Sequence, residues 1–181
     1  SLMLSDAAHN YPFLSVRTKV WHLEYVNLFT QMQHMEMPYA GVNRWKKKYT
    51  AMHYLSYNIL PWLNVGLFEA IIFPAEDDNG RLGFEIAYLN PVIFYRPVEY
   101  EAGSSHNALM GLNLRFIVKK KHVVYTQVML DEFKLEYMLE RNGWWANKNG
   151  LQAGVKTYDF LGYKNLYLQL EYNQVRPYTF S

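Results

Sequence analysis

The sequence contains no cysteine, which excludes disulfide staples, thiol catalysis and thiolate metal sites. Charge is also scarce. Only 19% of residues are charged and the net charge is +2, with no basic stripe, so nucleic-acid binding gets no electrostatic support. No apolar run reaches the roughly 18 to 20 residues that a membrane helix needs. The 7 prolines and 10 glycines sit at turns rather than in linkers. No domain boundary, internal repeat or low-complexity tract is visible, and 181 residues suit one β-domain spanning residues 1–181.

Motifs for cofactor chemistry are missing as well. The six histidines, His9, His22, His34, His53, His106 and His122, have no ligand spacing such as HxxxH, so no metal site is expected. Gly80-Arg81-Leu82-Gly83 matches no phosphate loop, and no nucleophile elbow of the GxSxG type occurs. No cofactor is expected.

Apolar and aromatic residues are abundant. Half the residues are hydrophobic and 17% are aromatic, with 16 Tyr, 10 Phe and 5 Trp. That supplies a large core and rules out a disordered chain. The C-terminal part is the most legible. Asn107–Val118, His122–Asp131, Leu151–Phe160 and Asn165–Val175 each alternate apolar and polar residues, joined in part by short turns such as Lys119-Lys120-Lys121. Period two over about ten residues, repeated across tight turns, predicts an antiparallel β-meander.

Further upstream, Tyr49–Leu60 alternates cleanly, and Pro61 suits the turn to a second arm, Trp62–Phe73. Val16–Met32 is rich in β-branched and aromatic residues and reads as one strand. Residues 1–15 read as an irregular lead-in, and Gln33–Lys48 as a loop with a cationic tip, Arg44–Lys48. Pro74–Gly80 ends in Asn-Gly, a turn signal, and Arg81–Tyr100 is the least legible segment. The fold class expected is all-β: an antiparallel β-meander forming a partial or small β-barrel of about seven to eight strands.

Alternation alone leaves two architectures open. A soluble sandwich or barrel points its apolar face inward, whereas an outer-membrane barrel turns apolar residues to lipid and polar ones to the interior. Strands of about ten residues, abundant aromatics for interfacial girdles, and long amide and charged side chains on the polar phase favour the second. On either reading Asn113, Arg115, Gln127, Lys156, Gln169 and Glu171 are expected to share one polar surface.

Several ordered stretches carry a family likeness: Ala87–Tyr100 (AYLNPVIFYRPVEY), Asn107–Phe116 (NALMGLNLRF), Gln127–Phe133 (QVMLDEF), Gly143–Lys156 (GWWANKNGLQAGVK) and Leu168–Phe180 (LQLEYNQVRPYTF). Over about residues 45–181 the chain resembles bacterial Wzi-type capsule assembly proteins, and more closely their RemB-like branch from gliding bacteria. The resemblance implies a non-enzymatic outer-membrane β-barrel at the cell surface. Such a barrel holds or assembles surface polysaccharide, or takes part in surface motility, with outer-membrane lipid and polysaccharide as partners. Family barrels have more strands than this chain supplies, so the sequence is expected to be a piece of a larger barrel.

Candidate polysaccharide contacts follow from chemistry, since rings stack on sugar faces while acids and amides grip hydroxyls. Trp144 and Trp145, with Asn147 and Lys148, sit on a loop after Asp131-Glu132, and Arg176 opens the short motif Arg176-Pro177-Tyr178. The bland alternative is that both tryptophans anchor the loop and that Arg176-Pro177 ends a strand. Asp131, Glu132 and Glu171 supply carboxylates of the kind glycoside hydrolysis uses, but no spacing singles out a pair. No catalytic residue is expected. The reading from another class is a soluble β-sandwich or barrel that binds carbohydrate or lipid in an apolar cavity.

Overall fold

The computed structural model describes residues 10–35, 45–77, 80–81, 89–94, 107–131, 148–177 and 179. Eight of its strands form one antiparallel meander sheet. They are β1 (Phe13–Val20), β2 (Leu23–Met35), β3 (Trp45–Leu60), β4 (Leu63–Pro74), β7 (Asn107–Val118), β8 (His122–Asp131), β9 (Lys148–Tyr158) and β10 (Tyr167–Val175). A separate two-stranded ribbon pairs β5 (Glu76–Asp77) with β6 (Gly80–Arg81). The sheet runs β1-β2-β3-β4-β7-β8-β9-β10, and β10 does not pair back to β1. The meander is therefore as expected, and it is open.

Boundaries differ from the sequence reading in several places, Gln33–Met35 joining β2 and Lys148–Gly150 joining β9 among them. Val16–Met32 is not one strand but most of a hairpin, with Trp21-His22 at its turn and Val20 opposite Leu23. Residues assigned to the lead-in, Phe13–Ser15, belong to β1. Trp45–Lys48 belongs to β3 rather than to a loop, because Lys48, Lys47 and Lys46 pair with Met32, Gln33 and His34. Ladder pairing with a long β2 outweighs the weak strand preference of the lysines.

Ladder partners mark a stagger. One line across the sheet runs Val20, Leu23, Tyr57, Val65, Leu114, Thr126, Ala153, Tyr172. It begins beside the Trp21-His22 turn and ends well above the β9–β10 turn. Strands that tilt relative to their common rim produce this climb, as in the wall of a barrel.

The connections are sorted by edge. Trp21-His22, Pro61-Trp62, Lys119–Lys121 and the Asp159–Leu166 turn all lie along one edge. The strand ends Met35, Trp45, Pro74, Asn107, Asp131 and Lys148, joined by longer stretches of sequence, lie along the other. We call the first edge the short-turn rim.

On one face, glycines let rings lie flat on the neighbouring strand. Phe68 stands opposite Gly111 and Tyr125 opposite Gly154. A Cβ on Gly111 would lie 2.2 Å from the Val128 carbonyl oxygen and 2.3 Å from the Phe68 ring; one on Gly154 would lie 2.3 Å from the Tyr125 ring. Rings folded onto glycines keep this face compact, as a sheet curved toward it requires.

Burial is concentrated toward the long-connection edge, on both faces. On the face with the folded rings, Met52, Phe68, Ala70, Leu109 and Met129 form a buried cluster backed by Leu28, Met32, Tyr54 and Ile72. On the opposite face Ala51, Ile71 and Phe73 are buried against Phe29 and Tyr49. Outside these clusters the faces diverge. One keeps aliphatic side chains exposed, including Leu67, Val124, Val128, Leu151 and Leu170, and the other is polar.

Candidate functional site: a polar basin on the concave face

The ladder fixes which side chains share the polar face, because directly opposed residues in an antiparallel pair project to the same side. Asn113, Gln127, Gln152 and Asn173 are successive partners across β7 to β10, an unbroken row of amides. The next row toward the short-turn rim reads Asn58, Asn64, Arg115, Tyr125, Gly154, Glu171, and beyond it Lys156 pairs with Gln169. These rows line a concave basin of about 570 Å³, with Glu24, Tyr54 and Ser56 at its far wall.

All six residues expected to share a polar surface line this basin: Asn113, Arg115, Gln127, Lys156, Gln169 and Glu171. The register inferred from alternation is thus the register of the sheet. The amide row was also legible as the polar phase of its strands. Asn64 and Ser56, on the far side, were not singled out, because β3 and β4 carry a weaker apolar contrast there.

Two hydrogen-bonded groups organise the basin. On β8–β10, the Tyr125 hydroxyl donates to Glu171 Oε2 at 2.5 Å, and Asn173 Nδ2 donates to Glu171 Oε1 at 2.9 Å. Gln169 Nε2 donates to the Tyr125 hydroxyl at 3.1 Å, and the Lys156 ammonium lies 5.2 Å from the centre of the Tyr125 ring. On β3–β4, Asn64 Nδ2 donates to Ser56 Oγ and to Asn58 Oδ1, each at 2.8 Å. Between the groups Gln127 and Gln152 are buried, and Asn113 Oδ1 is buried with no hydrogen-bond partner among the described residues. Two acids, Glu24 and Glu171, stand against two bases, Arg115 and Lys156. The basin is therefore near neutral and dense in amide donors and acceptors, suited to water or polyhydroxylated solutes and unsuited to an apolar ligand.

The polysaccharide candidates are divided by the fold. Trp144, Trp145, Asn147 and Glu132 lie outside the described residues. Asp131 and Lys148 face each other at the long-connection end of the β8–β9 ladder, beside Leu109, and both are buried. They share the concave face with the basin but are separated from it by the Met129 cluster. Arg176 is exposed just past β10, and its backbone N–H donates to the Asn149 carbonyl at 2.9 Å. Of the carboxylates weighed for glycoside hydrolysis, Glu132 lies outside the described residues, and Asp131 and Glu171 are far apart on the face.

Comparisons with protein-family models, curated proteins and solved structures return no match to this chain. Its chemistry is therefore read from its own residues.

A second polar feature, on the opposite face, escaped the sequence altogether. His53 and Glu69 are buried, at 3% and 0% exposure, with His53 Nδ1 2.7 Å from Glu69 Oε1. The other carboxylate oxygen accepts the backbone N–H of Phe94 at 2.6 Å. The Tyr25 ring stacks on His53, Phe29 meets it edge-on, and the Tyr25 hydroxyl donates to the Pro91 carbonyl. The 89–94 segment is thereby strapped over β2–β4. His53 and Glu69 stand directly opposite each other, with Asn27 and Met110 as their other ladder partners, and only the ladder brings them together.

Proposed function

We propose that this sheet is part of the wall of a non-enzymatic outer-membrane β-barrel that contacts surface polysaccharide. One observation carries the barrel reading: outside the buried clusters, exposed aliphatic side chains cover one face of the sheet while the other holds a neutral, amide-rich basin. A bilayer-spanning barrel requires this sidedness. A soluble carrier with an apolar cavity requires the reverse. Short turns on one edge and long connections on the other add support, since such barrels have short periplasmic turns and long extracellular loops.

The polysaccharide role rests on the resemblance to Wzi-type and RemB-like proteins, together with the basin's fitness for hydroxyl-rich solutes. Surface motility would follow the same chemistry, through adhesion to a polymer.

The test is reconstitution. The chain is refolded into detergent and then into phosphatidylcholine vesicles, beside Val128→Arg and Leu151→Arg, at cross-strand partner positions well away from the rim. An arginine facing the bilayer midplane costs about 2–4 kcal/mol, so both variants should lose most of their vesicle-inserted fraction while Gln127→Arg, in the basin, keeps it. Equal behaviour of all three, or a native chain that is monodisperse without detergent, would sink the membrane reading. Retention of a capsular polysaccharide by the vesicles then tests the second half. No retention would leave a barrel wall without that partner.

A further inference from the structure

We propose that the short-turn rim is a lipid-interface seat whose turn tips enter the headgroup region of a leaflet containing anionic phospholipid. This rests on the outer-membrane reading above and adds to it a depth, an orientation and a lipid class.

The rim spends backbone strain on side chains that bury little inside the molecule. Trp21 and Leu161 each hold a left-handed conformation, at φ 53°, where glycine, asparagine and aspartate are favoured and bulky residues are outliers. They are also the two most exposed large apolar side chains described, at 77% and 78%. The fold gains little from either, so a partner outside the molecule is the physical reason for keeping them. They stand at opposite ends of the same rim, on the β1–β2 and β9–β10 turns.

Amphipathic rings line the rim between them. Trp21 packs with Tyr57 and Trp62 stacks on Phe116, with centroids 6.3 and 6.4 Å apart, Tyr57 and Phe116 lying on the aliphatic face. Trp62 and Tyr163, on the turns, are exposed. Rings with one apolar and one polar end settle at the boundary of hydrocarbon and headgroups.

Charge selects the lipid. Two acids of the rim are already engaged: Glu24 by Arg17 at 3.3 Å and Asp159 by Lys121 at 2.8 Å. Lys119, Lys120 and Lys164, on the turns themselves, are exposed and make no ion pair among the described residues. Zwitterionic headgroups would use the rings but leave these ammonium groups uncompensated. Phosphate-bearing anionic headgroups satisfy both.

The full chain, transferred from detergent, is floated with vesicles of phosphatidylcholine or of equimolar phosphatidylcholine and phosphatidylglycerol. The expected result is tighter association with the second, weakened by salt. Each change in Lys119→Gln/Lys120→Gln should lower that preference about fivefold. The part of the emission lost in Trp21→Phe should be quenched by lipids brominated close to the headgroup rather than at mid-chain. Should the lysine variant fail to fold, the salt titration of the unaltered chain carries the same readout. Association that ignores phosphatidylglycerol and salt, or an unquenched Trp21 component, would overturn the rim seat and leave the barrel reading standing. No association with either vesicle would overturn both.

Discussion

At Gly111 the absence of a side chain decides whether two strands can approach as they do. The nearest obstacle to a Cβ there is the Val128 carbonyl oxygen, part of the ladder itself, with the Phe68 ring just behind. Backbone cannot swing aside, so Gly111→Ala should cost about 2–3 kcal/mol. Gly66→Ala meets only the Tyr54 ring, with its hydroxyl at 2.5 Å, and a ring end can yield, so about 1 kcal/mol or less is expected. Urea unfolding in detergent measures both, and equal costs would show that Val128 gives way. Asp159 is a different kind of residue-scale device. The hydrogen bond from Lys121, and then the Asn165 N–H, hold its carboxyl below the usual carboxylate range. A depressed folded value means that the stabilisation is present above the unfolded pKa and is lost as pH falls through the folded one. Asparagine also accepts the left-handed backbone that Asp159 adopts at φ 52°. The stability gap between the native chain and Asp159→Asn should therefore be steady near neutral pH and close in acid. A gap independent of pH would place the turn's stability elsewhere.

Among the elements, the 89–94 strap has the sharpest energetic signature. Glu69 accepts from Phe94 and holds His53, with both the Glu69 and His53 side chains out of water. Removing one partner of such a buried group leaves the others unsatisfied, so Glu69→Leu should destabilise by about 3 kcal/mol or more. Glu69→Gln keeps an acceptor for Phe94 and should cost less. Amide exchange at Phe94 reads the outcome directly: it should accelerate far more in the leucine variant, and unchanged protection would mean that the strap is held by other contacts. This element was not legible in the sequence. Residues 53, 69 and 94 share no spacing, and a lone His or Glu in a strand looks like any other. The strands β7, β8, β9 and β10 were legible, because one face of each is mostly apolar and the pattern has no helical rival. The β1–β2 hairpin was hidden for a physical reason: Trp21-His22 carries none of the usual turn residues, so composition gave no break between Val20 and Leu23. The basin lay between these extremes. Its amide row follows from the polar phase of four strands, but its volume depends on curvature, which alternation does not encode.

For the molecule as a whole, stability should fall from the middle of the sheet to its margins. β4 and β7 are paired on both sides, whereas β1 and β10 each have one neighbour and are largely exposed along their length. Hydrogen exchange in detergent should be slowest in β4 and β7 and fastest in β1 and β10. Slow exchange at both margins would mean that they find partners, in another copy or in further chain. Those partners obey a parity rule. β1 runs toward the short-turn rim and β10 runs away from it, as first and eighth members of an alternating series. A purely antiparallel closure can therefore be completed by an even number of additional strands, zero included, and by no odd number. An odd insertion would force one parallel seam, with its slanted hydrogen bonds, somewhere on the circumference.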